Sequence, residues 1–165
     1  MKRSYLWLLA SVALLGGCAP DVFIDFNFPS DEAFIRTETM QLIAVPYNPS
    51  SSSNPCAGLI EAAEVGGISN ESFRTLAIPV CTLYSGSFTV TNVPRGPMAY
   101  VALGRGLDSS SSQVTVLTGC TLHDIYETAG PVEITLAPTP ELLDQLMVGT
   151  TPSGCSVDLY CGGGC

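Results

Sequence analysis

Ser87-Phe88-Thr89-Val90-Thr91-Asn92-Val93, then Pro94-Arg95-Gly96-Pro97, then Ala99-Tyr100-Val101-Ala102-Leu103-Gly104-Arg105-Gly106-Leu107 is the stretch that decides the fold. Two runs rich in β-branched and aromatic residues flank a proline- and glycine-bearing break, which reads as strand, turn, strand. Working outward, the same reading continues downstream over 113–118, 121–127 and 132–137. The breaks fall at 108–112, at Gly119 and at Ala129-Gly130-Pro131. In the last run Val132, Ile134 and Leu136 point one way and Glu133 and Thr135 the other, the period of a half-buried strand. Upstream, 73–84, 37–46 and 21–28 read as strands too. In the first of the chain, Val22, Ile24, Phe26 and Phe28 alternate with Asp25 and Asn27. Short strands with turn residues every 8–12 positions, and no repeated crossover helices, predict an all-β antiparallel sandwich of seven to eight strands.

One helix is expected in that body. Residues 56–65 place Cys56, Leu59 and Ala63 on one face with Glu61 and Glu64 elsewhere, after an Asn54 cap and Pro55 in the first turn. The preceding 49–55 segment (PSSSSNP) is a polar loop. Beyond 138, residues 140–147 suit a short helix capped by Thr139, with Leu142, Leu143 and Leu146 for docking. The Cys161-Gly162-Gly163-Gly164-Cys165 end reads as irregular chain suited to small disulfide loops.

Gly86, Phe88, Val93, Pro94, Gly96 and Tyr100 together are similar to the G-x-F-x-x-x-x-V-P-x-G-x-Y pattern of transthyretin-like and carboxypeptidase-regulatory-like β-sandwich domains. This chain inserts Pro97-Met98 before Ala99-Tyr100. The resemblance implies that Phe88, Val90 and Tyr100 pack inward. It also implies an accessory, adhesive or spacer role more than an enzymatic one. Residues 102–120 followed by 132–136 also resemble the end of such a domain in lipoproteins of myxobacteria-like Gram-negative bacteria.

The N-terminus is a different kind of segment. In MKRSYLWLLASVALLGGC, Lys2 and Arg3 precede an apolar or small-residue run over 5–15, and Gly16-Gly17 lead into Cys18. That run falls short of the about 20 residues a helix needs to cross a bilayer, and matches the core of a secretory signal. Leu15-Gly16-Gly17-Cys18 resembles the lipobox of bacterial lipoproteins. The resemblance implies a diacylglyceryl thioether on Cys18, cleavage after Gly17 and acylation of the new amino group. Ala19, where an Asp would retain such a protein at the inner membrane, implies the outer membrane, on its periplasmic or surface face. Ordinary secretion and a retained membrane anchor are the alternatives these residues leave open. The domain plan is therefore 1–17 signal peptide, 18–36 lipidated tether or edge strand, 37–138 sandwich, and 139–165 short helix with a cysteine-rich tail.

Charge and cysteines limit the partners. Removing Lys2 and Arg3 leaves four arginines against fifteen carboxylates, a side-chain net charge of −11. Phosphate backbones repel such a chain, so nucleic acid is excluded, and the bilayer is reached through the acyl group on Cys18 alone. An envelope protein is the other expected partner. Seven cysteines minus Cys18 leave Cys56, Cys81, Cys120, Cys155, Cys161 and Cys165 as disulfide candidates, in any of 15 connectivities. Because three of these lie in the last eleven residues, complete pairing needs at least one bridge from tail to body. Their spacing lacks the C-x2-C knuckles of zinc sites.

Catalytic chemistry is not apparent. His123 is the one histidine, so a nucleophile has a single candidate base, and His123-Asp124 reads as a surface pair. Ser50 to Ser53 and Ser109 to Ser112 read as solvated loops, and Asn70-Glu71-Ser72 as an idle glycosylation sequon. Asp21, Asp25, Asp31 and Glu32 lack the spacing of a calcium loop. No cofactor or metal is expected. The primary expectation is a non-catalytic envelope module. The alternative is an accessory lipoprotein of a transport or secretion system that binds carbohydrate or peptide through Tyr47, Tyr84, Tyr126 and Tyr160 on one concave patch.

Overall fold

The computed structural model describes residues 21–84, 88–125, 130–148 and 154–165; the expected signal, Cys18 and Tyr126 lie outside them. The described chain is largely β, in two sheets with a few short helices. It runs β1 (Val22–Asn27), α1 (Asp31–Ile35), β2 (Thr39–Pro46), α2 (Cys56–Glu64), β3 (Phe73–Arg74), β4 (Ile78–Pro79) and α3 (Val80–Tyr84). There follow β5 (Phe88–Val90), β6 (Pro97–Leu107), β7 (Gln113–Asp124), β8 (Val132–Thr135), β9 (Ala137–Pro138), α4 (Pro140–Val148) and α5 (Val157–Cys161).

The larger sheet has the order β3-β2-β6-β7-β9, with β4 also on β2; the smaller has the order β5-β1-β8. Successive side chains of a strand face opposite ways, and in β2 and β6 both ways lead to core. Met40, Leu42, Ala44, Met98, Tyr100 and Ala102 join one hydrophobic cluster, which also takes Val22, Ile24, Val90, Val132 and Ile134 from the smaller sheet. Ile43, Val45, Val101 and Leu103 join a second cluster, closed by Ala63, Leu59 and Ile60 of α2. Burial on both faces is why these strands read as continuous apolar runs.

Several boundaries differ from the sequence reading, each for a local reason. Gly119 is not a turn: 113–118 and 121–124 form one strand through it. A Cβ there would stand 2.7 Å from the Thr135 carbonyl oxygen and 2.8 Å from Ile134 Cγ2. Glycine marks the place where β8 passes against β7. Gly106 does the same for the Arg36 carbonyl, which a Cβ would strike. The expected strand 73–84 is broken into β3, β4 and α3. Thr75 Oγ1 replaces a ladder acceptor by receiving the Leu42 amide at 2.9 Å, and after Pro79 the chain turns into α3, with the Val80 amide still bonded to the Glu38 carbonyl at 2.9 Å.

Among the described residues five helices stand where the sandwich reading had one in the body and a short one in the tail. Ser30-Asp31-Glu32 is a helix start rather than simple punctuation: the Ser30 hydroxyl accepts from Ala33 N at 3.1 Å, and both acids sit in the first turn. Asn54 Oδ1 accepts from Cys56 N at 2.9 Å, as its expected capping role requires. Thr139 Oγ1 bonds the Thr115 carbonyl at 2.8 Å beneath α4, where Leu142 is fully buried while Leu143 is exposed. The Leu146 side chain lies outside the description. Cys161, expected in irregular chain, closes α5 under a Ser156 cap.

The pairing is not wholly antiparallel. β1 runs antiparallel to β5 but parallel to β8. It is the middle strand of its sheet, with Val22 and Ile24 buried, where the sequence suggested a tether or an edge. After β8 the chain leaves the smaller sheet. Leu136 N still bonds the Asn27 carbonyl at 3.0 Å, whereas Ala137 already pairs with Thr118 in the larger sheet. One extended segment therefore belongs to both sheets.

Candidate functional site

All six cysteines after residue 18 are paired, as Cys56–Cys120, Cys81–Cys161 and Cys155–Cys165. The first ties α2 to β7 over the second cluster, the second ties α3 to α5, and the third closes the tail on itself. Cys81–Cys161 is the tail-to-body bridge that parity demanded.

That bridge joins two helices, α3 and α5, that line a surface cleft of about 340 Å³ at the C-terminal end of β1. The alternation that buries Ile24 brings Phe26 and Phe28 into this cleft, and α1 sets Phe34 beside them. Phe28 and Phe34 meet edge to face at 4.8 Å between ring centres, and Phe34 meets Tyr84 at 5.9 Å. Phe88 of β5 also lines the cleft, as do Asp25 and Asp31; no lysine or arginine is among the lining residues. The Tyr84 hydroxyl donates to Asp158 Oδ1 at 2.6 Å, so α3 and α5 are held by this bond as well as by the disulfide. That bond and the Asp158 charge push the Tyr84 phenol above its ordinary value. Another cleft, about 280 Å³, mixes Glu64, Arg105 and Glu141.

Of the four tyrosines proposed from sequence, the three described, Tyr47, Tyr84 and Tyr160, do not line one cleft. Tyr84 lines the aromatic cleft. Tyr160 packs against the main core, and burial raises its phenol. Tyr47 follows β2, its amide bonded to the Pro97 carbonyl at 3.3 Å. The aromatic surface is supplied by phenylalanines instead, and the signal that could have found it was the Phe26, Phe28 alternation. Tyr100 is fully buried with no hydrogen-bond partner for its hydroxyl. Burial first, and the Asp124 charge second, push its phenol up to about 12.

His123 lies opposite Met98 on β7 and edge-on to Tyr100 at 6.4 Å. Ser110 and Ser112 fold around Asp108, whose Oδ1 accepts from Ser110 N, Ser110 Oγ and Ser112 N at 2.7–2.8 Å; these bonds hold its carboxyl below the usual range. Ser72 Oγ of the sequon donates to the Ala44 carbonyl, and Glu71 is paired with Arg74, which keeps its carboxyl low. Among the described residues no three His, Cys, Asp or Glu side chains, Asp21, Asp25, Asp31 and Glu32 included, gather as metal ligands. No described helix is long and apolar enough to cross a membrane. No protein-family model, curated protein or solved structure matches this chain.

Proposed function

We propose that this is a lipid-anchored, non-catalytic envelope protein: a disulfide-braced β-sandwich held at the outer membrane by acylated Cys18 and acting as a structural or interaction module. One observation carries the reading. Three bridges consume every cysteine after residue 18, so Cys18, behind Leu15-Gly16-Gly17, is the one member of seven outside them. Complete pairing fits an oxidising compartment, and two or more acyl chains at ~0.8 kcal/mol per buried methylene make a stable anchor. The sandwich reading is supported by the single cluster that draws side chains from both sheets. Intact-mass analysis of membrane-extracted protein tests it: acylation is expected on Cys18, with six thiols appearing only on reduction. A C18S variant that still matured at the same point and sedimented with the envelope would end the proposal.

The aromatic cleft favours a second reading, a ligand-binding accessory protein. Carbohydrate or peptide were the candidate ligands, and the lining suits peptide. Aromatic residues together with Asp25 and Asp31, with no lining cation, suit a lysine or arginine side chain through both charge and the aromatic quadrupole. The one tyrosine hydroxyl there is engaged with Asp158, leaving little for sugar hydroxyls.

A further inference from the structure

The geometry points to a fixed orientation on the bilayer: the domain end that carries the start of β1 and the 91–96 turn faces lipid, and the aromatic cleft faces away. This inference rests on the acylation of Cys18 proposed above. Only Ala19, Pro20 and Asp21 separate that cysteine from β1. Four Cα steps reach at most about 14 Å. Nor does β1 lengthen the link by unravelling, since Val22 and Phe23 are paired with β5, Ile24 is paired on both sides, and Val22 and Ile24 are buried.

Register identifies which end is held. Val22 lies opposite Val90, so the 91–96 turn leaves β5 at the anchored end and leads directly into Pro97 of β6. Pro46 opposite Met98, and Pro97 opposite Asp124, bring the ends of β2 and β7 to the same place. At the other end Asn27 lies opposite Thr135, and the Leu107–Gln113 pair closes the 108–112 loop. The eleven residues of β6 span roughly 35 Å between these ends. The link is less than half of that. Phe26, Phe28, Phe34 and Tyr84 belong to the far end, with Asp31, Asp108 and Asp158. The near end carries Asp21 and Asp124, and laying the domain on its side would bring the far-end carboxylates toward anionic lipid in addition, which repels them. Upright docking leaves the cleft open to a partner in the aqueous space.

The mature chain has no tryptophan, because Trp7 falls in the segment that is removed. Single reporters are therefore clean: T91W and N48W at the near end, S109W at the far end, all replacing exposed residues. Each acylated protein, checked by circular dichroism, is reconstituted into phosphatidylglycerol-containing vesicles with nitroxide on the lipid headgroups. Quenching at least threefold stronger for T91W or N48W than for S109W is expected. Equal quenching in acylated, vesicle-bound protein overturns the orientation while leaving the anchor intact. Absence of acyl mass on Cys18 overturns both.

Discussion

Replacing Gly119 with alanine tests how the two sheets meet. The added Cβ would stand 2.7 Å from the Thr135 oxygen, 2.8 Å from Ile134 Cγ2 and 3.1 Å from Leu136 Cδ2. Carbon contacts settle at about 3.5–4.0 Å, so β8 must retreat by about 0.7 Å or more, and its inward residues Val132 and Ile134 are fully buried. Overpacking of that kind costs about 1–3 kcal/mol. Loss of glycine's freedom in the unfolded chain offsets about 0.4–1 kcal/mol of it. The expected net loss is about 1.3 kcal/mol, near 0.7 M in urea midpoint for a slope of about 2 kcal/mol/M. Gly58→Ala is the matched control: it lies in α2 with nothing within 4 Å of its would-be Cβ, and should gain about 0.5–1 kcal/mol. Urea titration of oxidised protein followed by far-UV circular dichroism reads both. If G119A is as stable as the parent while G58A behaves as expected, β8 does not press on β7, and the sandwich reading goes with it.

Removing the Cys56–Cys120 bridge as a double alanine variant should lower stability by about 4 kcal/mol, the unfolded-chain constraint for a 64-residue separation; a loss below about 1 kcal/mol in the same titration would contradict this. Tyr100→Phe removes a buried hydroxyl without a partner and should stabilise by about 1 kcal/mol; a loss instead would reveal a partner for it. Because its folded-state value is raised, Tyr100 keeps its proton as pH climbs. Its contribution is intact below pH 10 and is lost between 10 and about 12, measurable as falling thermal midpoints alongside a late step in tyrosinate absorbance. A lysine- and arginine-bearing peptide should bind the parent at low salt, and Phe28→Ala should weaken that binding about tenfold by calorimetry. Unchanged affinity would remove the cleft from consideration.

Much of the architecture was legible because burial writes itself into residue order. Residues 39–46 and 97–107 are apolar without alternation since helix and sheet cover opposite faces, and 132–136 alternates since one face is wet. Parity forced a tail-to-body bridge, while the choice of Cys81 and Cys161 depended on where α3 and α5 stand. The missed features were tertiary in origin. Gly119 looks like a turn residue locally, and only the passage of β8 explains it. α1 and α3 are too short for periodicity to register, although Ser30 with Asp31 and Glu32 was a readable start. The cleft escaped because its rings come from β1, α1, α3 and β5, segments whose meeting no local pattern announces.

β1 has a temporal consequence. It is the first described strand, yet its ladder partners are residues 88–90 and 132–135, so Ile24 waits until Val132 exists to complete its pairing. Closing so wide a loop is slow. β5 and β8 touch β1 but not each other, and neither can rehearse the small sheet alone. A chain crossing a membrane N-terminus first would thus emerge with its leading strand unmatched, and would lock into shape only after nearly all of it had passed through.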